Sequence, residues 1–223
     1  MKGKRTKLVL MYNCKICNSE TNLLDDKQIK VTYRECSNCG FIHKDKLFHV
    51  DIKEELKQYS LHNNSFESVG YVKIFEDLIK DYITPLNIKG KVLEYGSGPG
   101  PVLKELLKND GYIVYDFDPF FNKNTEYLKY KYELITSTEV VEHFFDPITE
   151  FEKLSNLLLP GGYLVIMTKL RTMDIPKFLD WWYRRDATHV SFYTTKSLEI
   201  IAKKFNLSII KNNNINVIVF QKN

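Results

Sequence analysis

Lys91-Val-Leu-Glu-Tyr-Gly-Ser-Gly-Pro-Gly100 is the stretch that decides the fold. Residues 91–95 read as a short strand, three glycines alternate with Ser97 and Pro99, and 101–109 carries the leucine spacing of a helix. Strand, glycine turn and helix together open a doubly wound α/β unit. The glycines let the backbone turn tightly and approach a ligand closely, while the helix N-terminus behind them presents unpaired amides. Two phosphate-binding patterns do not fit. A dinucleotide fingerprint places the third glycine one residue later, and a P-loop ends in Gly-Lys-Ser/Thr. Glu94, two residues before the first glycine, repels a pyrophosphate and suits a ligand with a cationic or amine-bearing end.

Downstream the pattern keeps alternating. Strands are expected over 112–116, 133–137 and 162–168, and helices over 147–158 and 195–205. The segments 207–210 and 215–220 read as a closing hairpin around Asn212, Asn213 and Asn214. Upstream, Val69, Val72, Phe75, Leu78, Ile79 and Ile83 recur at helical spacing, which predicts a helix over 66–86 stopped near Pro85. The expected architecture is α/β: a doubly wound, Rossmann-like, mostly parallel sheet with an antiparallel C-terminal hairpin.

The four cysteines form two CxxC pairs, Cys14/Cys17 and Cys36/Cys39, eighteen residues apart. That spacing is the one read as a four-thiolate zinc site, and Gly40 supplies the backbone freedom that such a turn requires. Four thiolates close the coordination sphere, so the zinc is expected to be structural. No cysteine remains as a nucleophile. The chain divides into a basic tail and small zinc ribbon over 1–45 and a larger domain over 46–223, with 46–90 as a helical lead-in.

The chain has 223 residues, 43% of them hydrophobic and 27% charged, which excludes a disordered, collagenous or disulfide-stapled chain. The net charge of +4 resides in Lys2, Lys4, Arg5 and Lys7, and the remainder is neutral. Leu8 to Tyr12 is too short for a signal-peptide core, which needs about 7–15 apolar residues, and no segment reaches the roughly 18 of a membrane span. A cytoplasmic location is therefore expected.

Residues 92–100 resemble the first motif of the class I S-adenosylmethionine-dependent methyltransferases. Asp118, in Tyr115-Asp-Phe-Asp-Pro119, is similar to the acid that binds the cofactor ribose, with Asp116 as the alternative. Residues 132–143, ending in Glu142 and His143, resemble the fourth-strand motif, and 158–162 the loop before the fifth strand. The resemblance covers about residues 66–223 and implies S-adenosylmethionine as cofactor, held by Glu94, Gly96, Ser97, Gly98, Gly100, Asp118, Thr138 and Glu139. Only fourteen residues separate Asp118 from Glu133. The second helix and third strand must therefore be truncated, and the acid that usually contacts adenine has no counterpart.

The acceptor side is expected in 181–193, which combines five aromatics with Arg184, Arg185, Asp186 and His189 at the sheet's carboxyl end. His189 and His143 are the candidate bases; each is also the kind of residue that serves structurally. His62 is a further candidate for capping the pocket. The charge-balanced body points to a small-molecule acceptor. An RNA methyltransferase gripping phosphate through ribbon and tail is the alternative, and a non-catalytic cofactor-binding protein the third reading.

Overall fold

A computed structural model describes residues 12–61 and 64–223. The basic tail and His62 lie outside the described residues. In chain order the elements are β1 (Thr21–Asp26), β2 (Val31–Cys36), β3 (Ile42–Lys44), α1 (Ile52–Tyr59), α2 (Val69–Leu78), β4 (Lys91–Tyr95), α3 (Val102–Asn109) and β5 (Ile113–Phe117). There follow β6 (Tyr132–Thr138), α4 (Pro147–Leu157), β7 (Leu158–Met167), α5 (Ile175–Asp180), β8 (Ser191–Phe192), α6 (Thr195–Lys204), β9 (Leu207–Asn212) and β10 (Val217–Lys222).

The main sheet runs β5-β4-β6-β7-β10-β9. Its first four strands are parallel, and β10 and β9 are antiparallel, with β9 at the edge. Consecutive residues turn to opposite faces, as the period of two requires. Val92, Leu134, Val165 and Val219 pack with Phe75, Ile83, Leu103 and Leu107 on one face. Leu93, Ile135, Leu164 and Ile218 pack with Phe151, Leu154 and Ile201 on the other. A parallel sheet covered on both faces explains why its strands read as near-continuous apolar runs. Beyond β5 the expected truncation is present: residues 119–131 contain one 3₁₀ turn, Thr125–Lys129, and no further strand. No helix among the described residues is long and apolar enough to cross a membrane.

Three local expectations need correction. The helix over 66–86 is α-helical only to Leu78, then widens into a π turn over Ile79–Ile83 and tightens into a 3₁₀ turn over Thr84–Leu86. Pro85 lacks an amide and its ring crowds the preceding turn, which disrupts regular α-helical bonding there. Strand β7 starts at Leu158 rather than at 162, with extra residues accommodated by a register shift against β6. The alternation from Ile29 to Tyr33 reads as a strand feeding the second knuckle; that strand, β2, begins at Val31 and runs to Cys36, and β1, unseen in the sequence, pairs with it antiparallel.

The ribbon does not stand alone. Its sheet runs β1-β2-β3-β8, and β8 belongs to the far end of the chain. Tyr33 and Ile42 from the ribbon share one buried cluster with Phe178, Tyr183 and Phe192. Asp26 forms an ion pair with Arg184 at 3.1 Å, both side chains almost wholly buried. Breaking such a pair from one side costs about 3–5 kcal/mol.

Gly96 and Gly111 test the glycine turn. Both lie in the left-handed region, at φ +83° and +90°. A Cβ at Gly96 would run into the Val140 methyls, whereas one at Gly111 meets open space. Gly111→Ala should cost about 1–2 kcal/mol in urea unfolding from backbone strain alone. Gly96→Ala should cost about 1–3 kcal/mol more; equal losses would contradict the close approach.

Candidate active site

The glycine turn is pinned to the strand beside it. The Gly96 and Ser97 amides both donate to the Phe117 carbonyl, at 2.7 and 3.2 Å. The Gly98 amide donates to Asp118 Oδ2 at 2.9 Å. Gly96 and Gly98 take positive φ, which glycine adopts without a Cβ penalty. The turn is wedged between Val140, against Gly96, and Asn64, whose carbonyl occupies the space a Cβ on Gly100 would need. It sits where β4 sends its neighbours to either side, the switch point at which open α/β sheets bind ligands.

Glu94, next to the last residue of β4, is buried, and its Oε2 has no hydrogen-bond partner. Burial, with Asp116 adding to it, pushes its carboxyl up to about 8 despite the opposing Lys104. An orphaned, buried carboxylate oxygen fits the amine-bearing end of a ligand. Asp118 has a different engagement from the one its sequence position suggests. Its Oδ1 accepts from the Phe120 and Phe121 amides at 2.8 and 3.0 Å, while Oδ2 holds Gly98, so it braces the turn. Asp116 lies level with Glu94 on the adjacent strand, bonded to Lys104 at 2.7 Å and Asn122 at 2.8 Å. Thr138 closes β6 opposite Met167. Glu139 follows at φ +54°, its amide on the Met167 carbonyl and its carboxylate accepting from the Tyr183 hydroxyl at 3.2 Å.

His143 and His189 come together, ring centroids 4.8 Å apart. Tyr59 of α1 stands edge-on to His143 at 5.2 Å, and Tyr183 packs on His189 at 4.2 Å. Nδ1 of His143 is 3.1 Å from the Thr188 carbonyl, and Nδ1 of His189 is 2.7 Å from the Tyr183 carbonyl. A carboxylate oxygen of the fully buried Glu142 lies within 4.8 Å of a ring nitrogen of each histidine, and burial and Glu139 push its carboxyl up to about 8. The same burial and both carboxylates drive the Tyr183 phenol far above its ordinary value. Sequence reading quoted Glu142 only as part of the Glu-His motif and missed Asn64, Asn122 and Tyr59. The Glu139-x-x-Glu142-His143 spacing was the available signal for Glu142; an Asn in a linker carries none.

The four cysteines converge as their spacing requires. Cys14 Sγ is 3.6 Å from Cys39 Sγ, Cys17 Sγ is 3.4 Å from Cys36 Sγ, and all four sulfurs lie within 4.8 Å of one another. Zinc–sulfur bonds of about 2.3 Å in a tetrahedron place sulfurs about 3.8 Å apart, so the cluster fits zinc. The Ile16 and Cys39 amides point at the Cys14 and Cys36 sulfurs, the donor set that thiolates favour. Hydrogen bonding from Cys39 holds the Cys14 thiol down to about 5.

A model of the methyltransferase domain family matches residues 70–212. No curated protein matches the chain. Among solved structures, magnesium protoporphyrin IX methyltransferase from Synechocystis PCC 6803, with SAH bound, is 12% identical. It superposes at a TM-score of 0.52 over 78% of this chain and 89% of that one. A SAM-dependent methyltransferase from Archaeoglobus fulgidus is 15% identical, at 0.50 over 68% and 94%. A methyltransferase of calicheamicin biosynthesis, in its SAH-bound form, is 11% identical, at 0.51 over 70% and 55%. At these identities the structural likeness shows the fold. The family model spans most of the doubly wound sheet, from α2 to the end of β9, and the chain therefore belongs to the methyltransferase-domain family, as an S-adenosylmethionine-dependent enzyme with a four-cysteine cluster ahead of its catalytic fold.

Proposed function

We propose that the protein methylates a small-molecule acceptor. The observation that carries this reading is the convergence of Glu139, Glu142, His143, Tyr183 and His189 beside the glycine turn. S-adenosylmethionine supplies a methyl group already activated on a sulfonium, so catalysis falls mainly to placement of the two partners. Glu94 takes the cofactor's ammonium, and Gly96, Ser97, Gly98 and Gly100 leave room for its chain to pass. Asp118 keeps the turn closed, while Asp116 and Asn122 offer acceptors and a donor to the ribose hydroxyls. Thr138 and Glu139 line the methyl-bearing end.

Carbonyl groups only accept, so each histidine carries its proton on Nδ1 and its lone pair on Nε2. Either lone pair can receive the acceptor's proton or hold its hydroxyl in line. The aromatic wall of Tyr59, Trp181 and Tyr183 suits a compact organic acceptor. Solved relatives of the fold include a magnesium protoporphyrin IX methyltransferase, and the body of this chain is charge-neutral outside its tail. Four structural thiolates hold zinc in the ribbon. RNA recognition would rest on the tail charges alone.

Two outcomes follow. Glu94 is protonated in most unliganded molecules at pH 7, and an ammonium neighbour favours its ionised form. Cofactor binding should therefore release a proton near neutrality and tighten as pH rises through about 8. Calorimetry in two buffers of different ionisation heat should show Glu94→Gln binding about tenfold or more weakly without that proton release; unchanged release would contradict the assignment. The unliganded protein carries the opposite dependence: a raised carboxyl stabilises it below about 4.5 and ceases to as pH climbs through 8. For the acceptor, labelled cofactor with fractionated cell extract should mark small molecules. Label in RNA, with affinity falling steeply as salt rises, would overturn the small-molecule reading. His189→Ala should lower kcat about 10²–10⁴-fold with cofactor affinity kept.

A further inference from the structure

A second group of metal-ligating side chains lies outside the ribbon. A carboxylate oxygen of Glu142 and one ring nitrogen each of His143 and His189 lie within 4.8 Å of one another. Backbone bonding fixes all three. The Val190 amide donates to the Glu142 carbonyl at 2.9 Å, the His143 amide to Val140 at 2.9 Å, and the His189 amide to Asp186 at 3.3 Å.

Ring orientation is the first indication of a ligand. Both Nδ1 atoms face backbone carbonyls, Thr188 and Tyr183, which places both lone pairs on Nε2. Histidines that bind metals are held this way, one ring nitrogen donating to a carbonyl and the other ligating. The second indication is Glu142 itself. Its Oε1 accepts from the Tyr183 hydroxyl at 2.5 Å, but its Oε2 is buried with no hydrogen-bond partner. An uncompensated buried carboxylate oxygen is costly, and a cation relieves it. The surrounding charge has the matching sign. Glu139 shares the Tyr183 hydroxyl, and Asp186 Oδ2 is 3.9 Å from His189 Nε2. Lys44 of the ribbon is directed to the Ala187 carbonyl at 2.7 Å.

We propose that Glu142, His143 and His189 bind a divalent transition-metal cation, separate from the zinc of the four cysteines. Two imidazoles and a carboxylate suit Zn²⁺, Fe²⁺ or Co²⁺, and a set of three protein ligands leaves coordination positions for a substrate. Binding does not depend on the methyl-transfer reading; its use does. On that reading the cation selects an acceptor that offers a hydroxyl oxygen, and it lowers the hydroxyl's pKa as a Lewis acid.

The test uses the full chain with zinc in its ribbon. Cobalt(II) is titrated in and followed by calorimetry and visible absorption, with zinc content measured alongside. The wild type should take up one cobalt per chain while keeping one zinc, without the intense sulfur-to-metal band of thiolate-bound cobalt. Glu142→Gln and His143→Asn should each weaken cobalt binding about 10–100-fold with the zinc retained, the retained zinc showing that the fold persists. No cobalt bound by the wild type, or unchanged affinity in both zinc-retaining variants, would overturn the proposal. Cobalt bound without any methylation would support the site and count against the catalytic reading alone. Methylation by a chain that binds no second cation would overturn the site alone.

Discussion

Two residue pairs of antiparallel backbone, Ile42 with Phe192 and His43 with Ser191, join the cysteine ribbon to the segment that carries His189. The seam continues inward. The Lys44 amide donates to the Val190 carbonyl, and the Val190 amide donates to the Glu142 carbonyl, so residues 189–193 are held between ribbon and β6 loop. Ser191 Oγ and the Tyr193 hydroxyl fasten the same segment to the Phe144 and Val141 carbonyls at 2.7 and 2.9 Å. Each such bond is worth only about 1 kcal/mol net. The pairing is specified by what surrounds it. The buried guanidinium of Arg171 donates to the Gly40 carbonyl at 2.8 Å, Thr194 Oγ1 donates to the Cys39 carbonyl at 2.6 Å, and the aromatic cluster of Tyr33, Phe178 and Phe192 fills the space behind. The cysteine knuckle thus serves as one wall of the catalytic half.

The site itself is a collection of acids, of which Glu94 and Glu142 are buried, Asp116 is half-buried and Glu139 is exposed. Glu94, Asp116, Glu139 and Glu142 all lie near the carboxyl ends of β4, β5 and β6, and one oxygen each on Glu94 and Glu142 has no hydrogen-bond donor. Burial raises both carboxyls toward neutrality, which is the cost of placing them there with one oxygen each lacking a donor. On the proposed readings a cationic ligand would offset that cost: the cofactor's ammonium at Glu94, and a metal cation at Glu142. Ligand binding and local electrostatic relief are then the same event.

Much of this was legible in the chain because it is carried by spacing. The strand, glycine turn and helix at 91–109, the paired CxxC knuckles and the alternating elements to the closing hairpin each have a period or a fixed interval. The shortened stretch after Asp118 was legible as a count of residues. The hidden parts have no such signature. Strand β8 is two residues long, and neither Ser191 nor Phe192 announces that its partner lies about 150 positions away. Asn64 reaches the glycine turn from a linker with no periodicity. The sequence pattern favours Asp118 over Asp116 for the ribose, and nothing in it shows that Asp118 also accepts from the Gly98, Phe120 and Phe121 amides.

The central claim is that order at the cysteine cluster is transmitted through β3 and β8 to the His189 segment. Amide hydrogen exchange with and without the ribbon metal tests it most directly, with the metal removed by chelator under reducing conditions. The account predicts that protection at Val190, Ser191 and Phe192 falls at least tenfold on removal, while amides of β7 such as Val165 and Ile166 keep theirs. Unchanged protection at 190–192 in metal-depleted protein would contradict it.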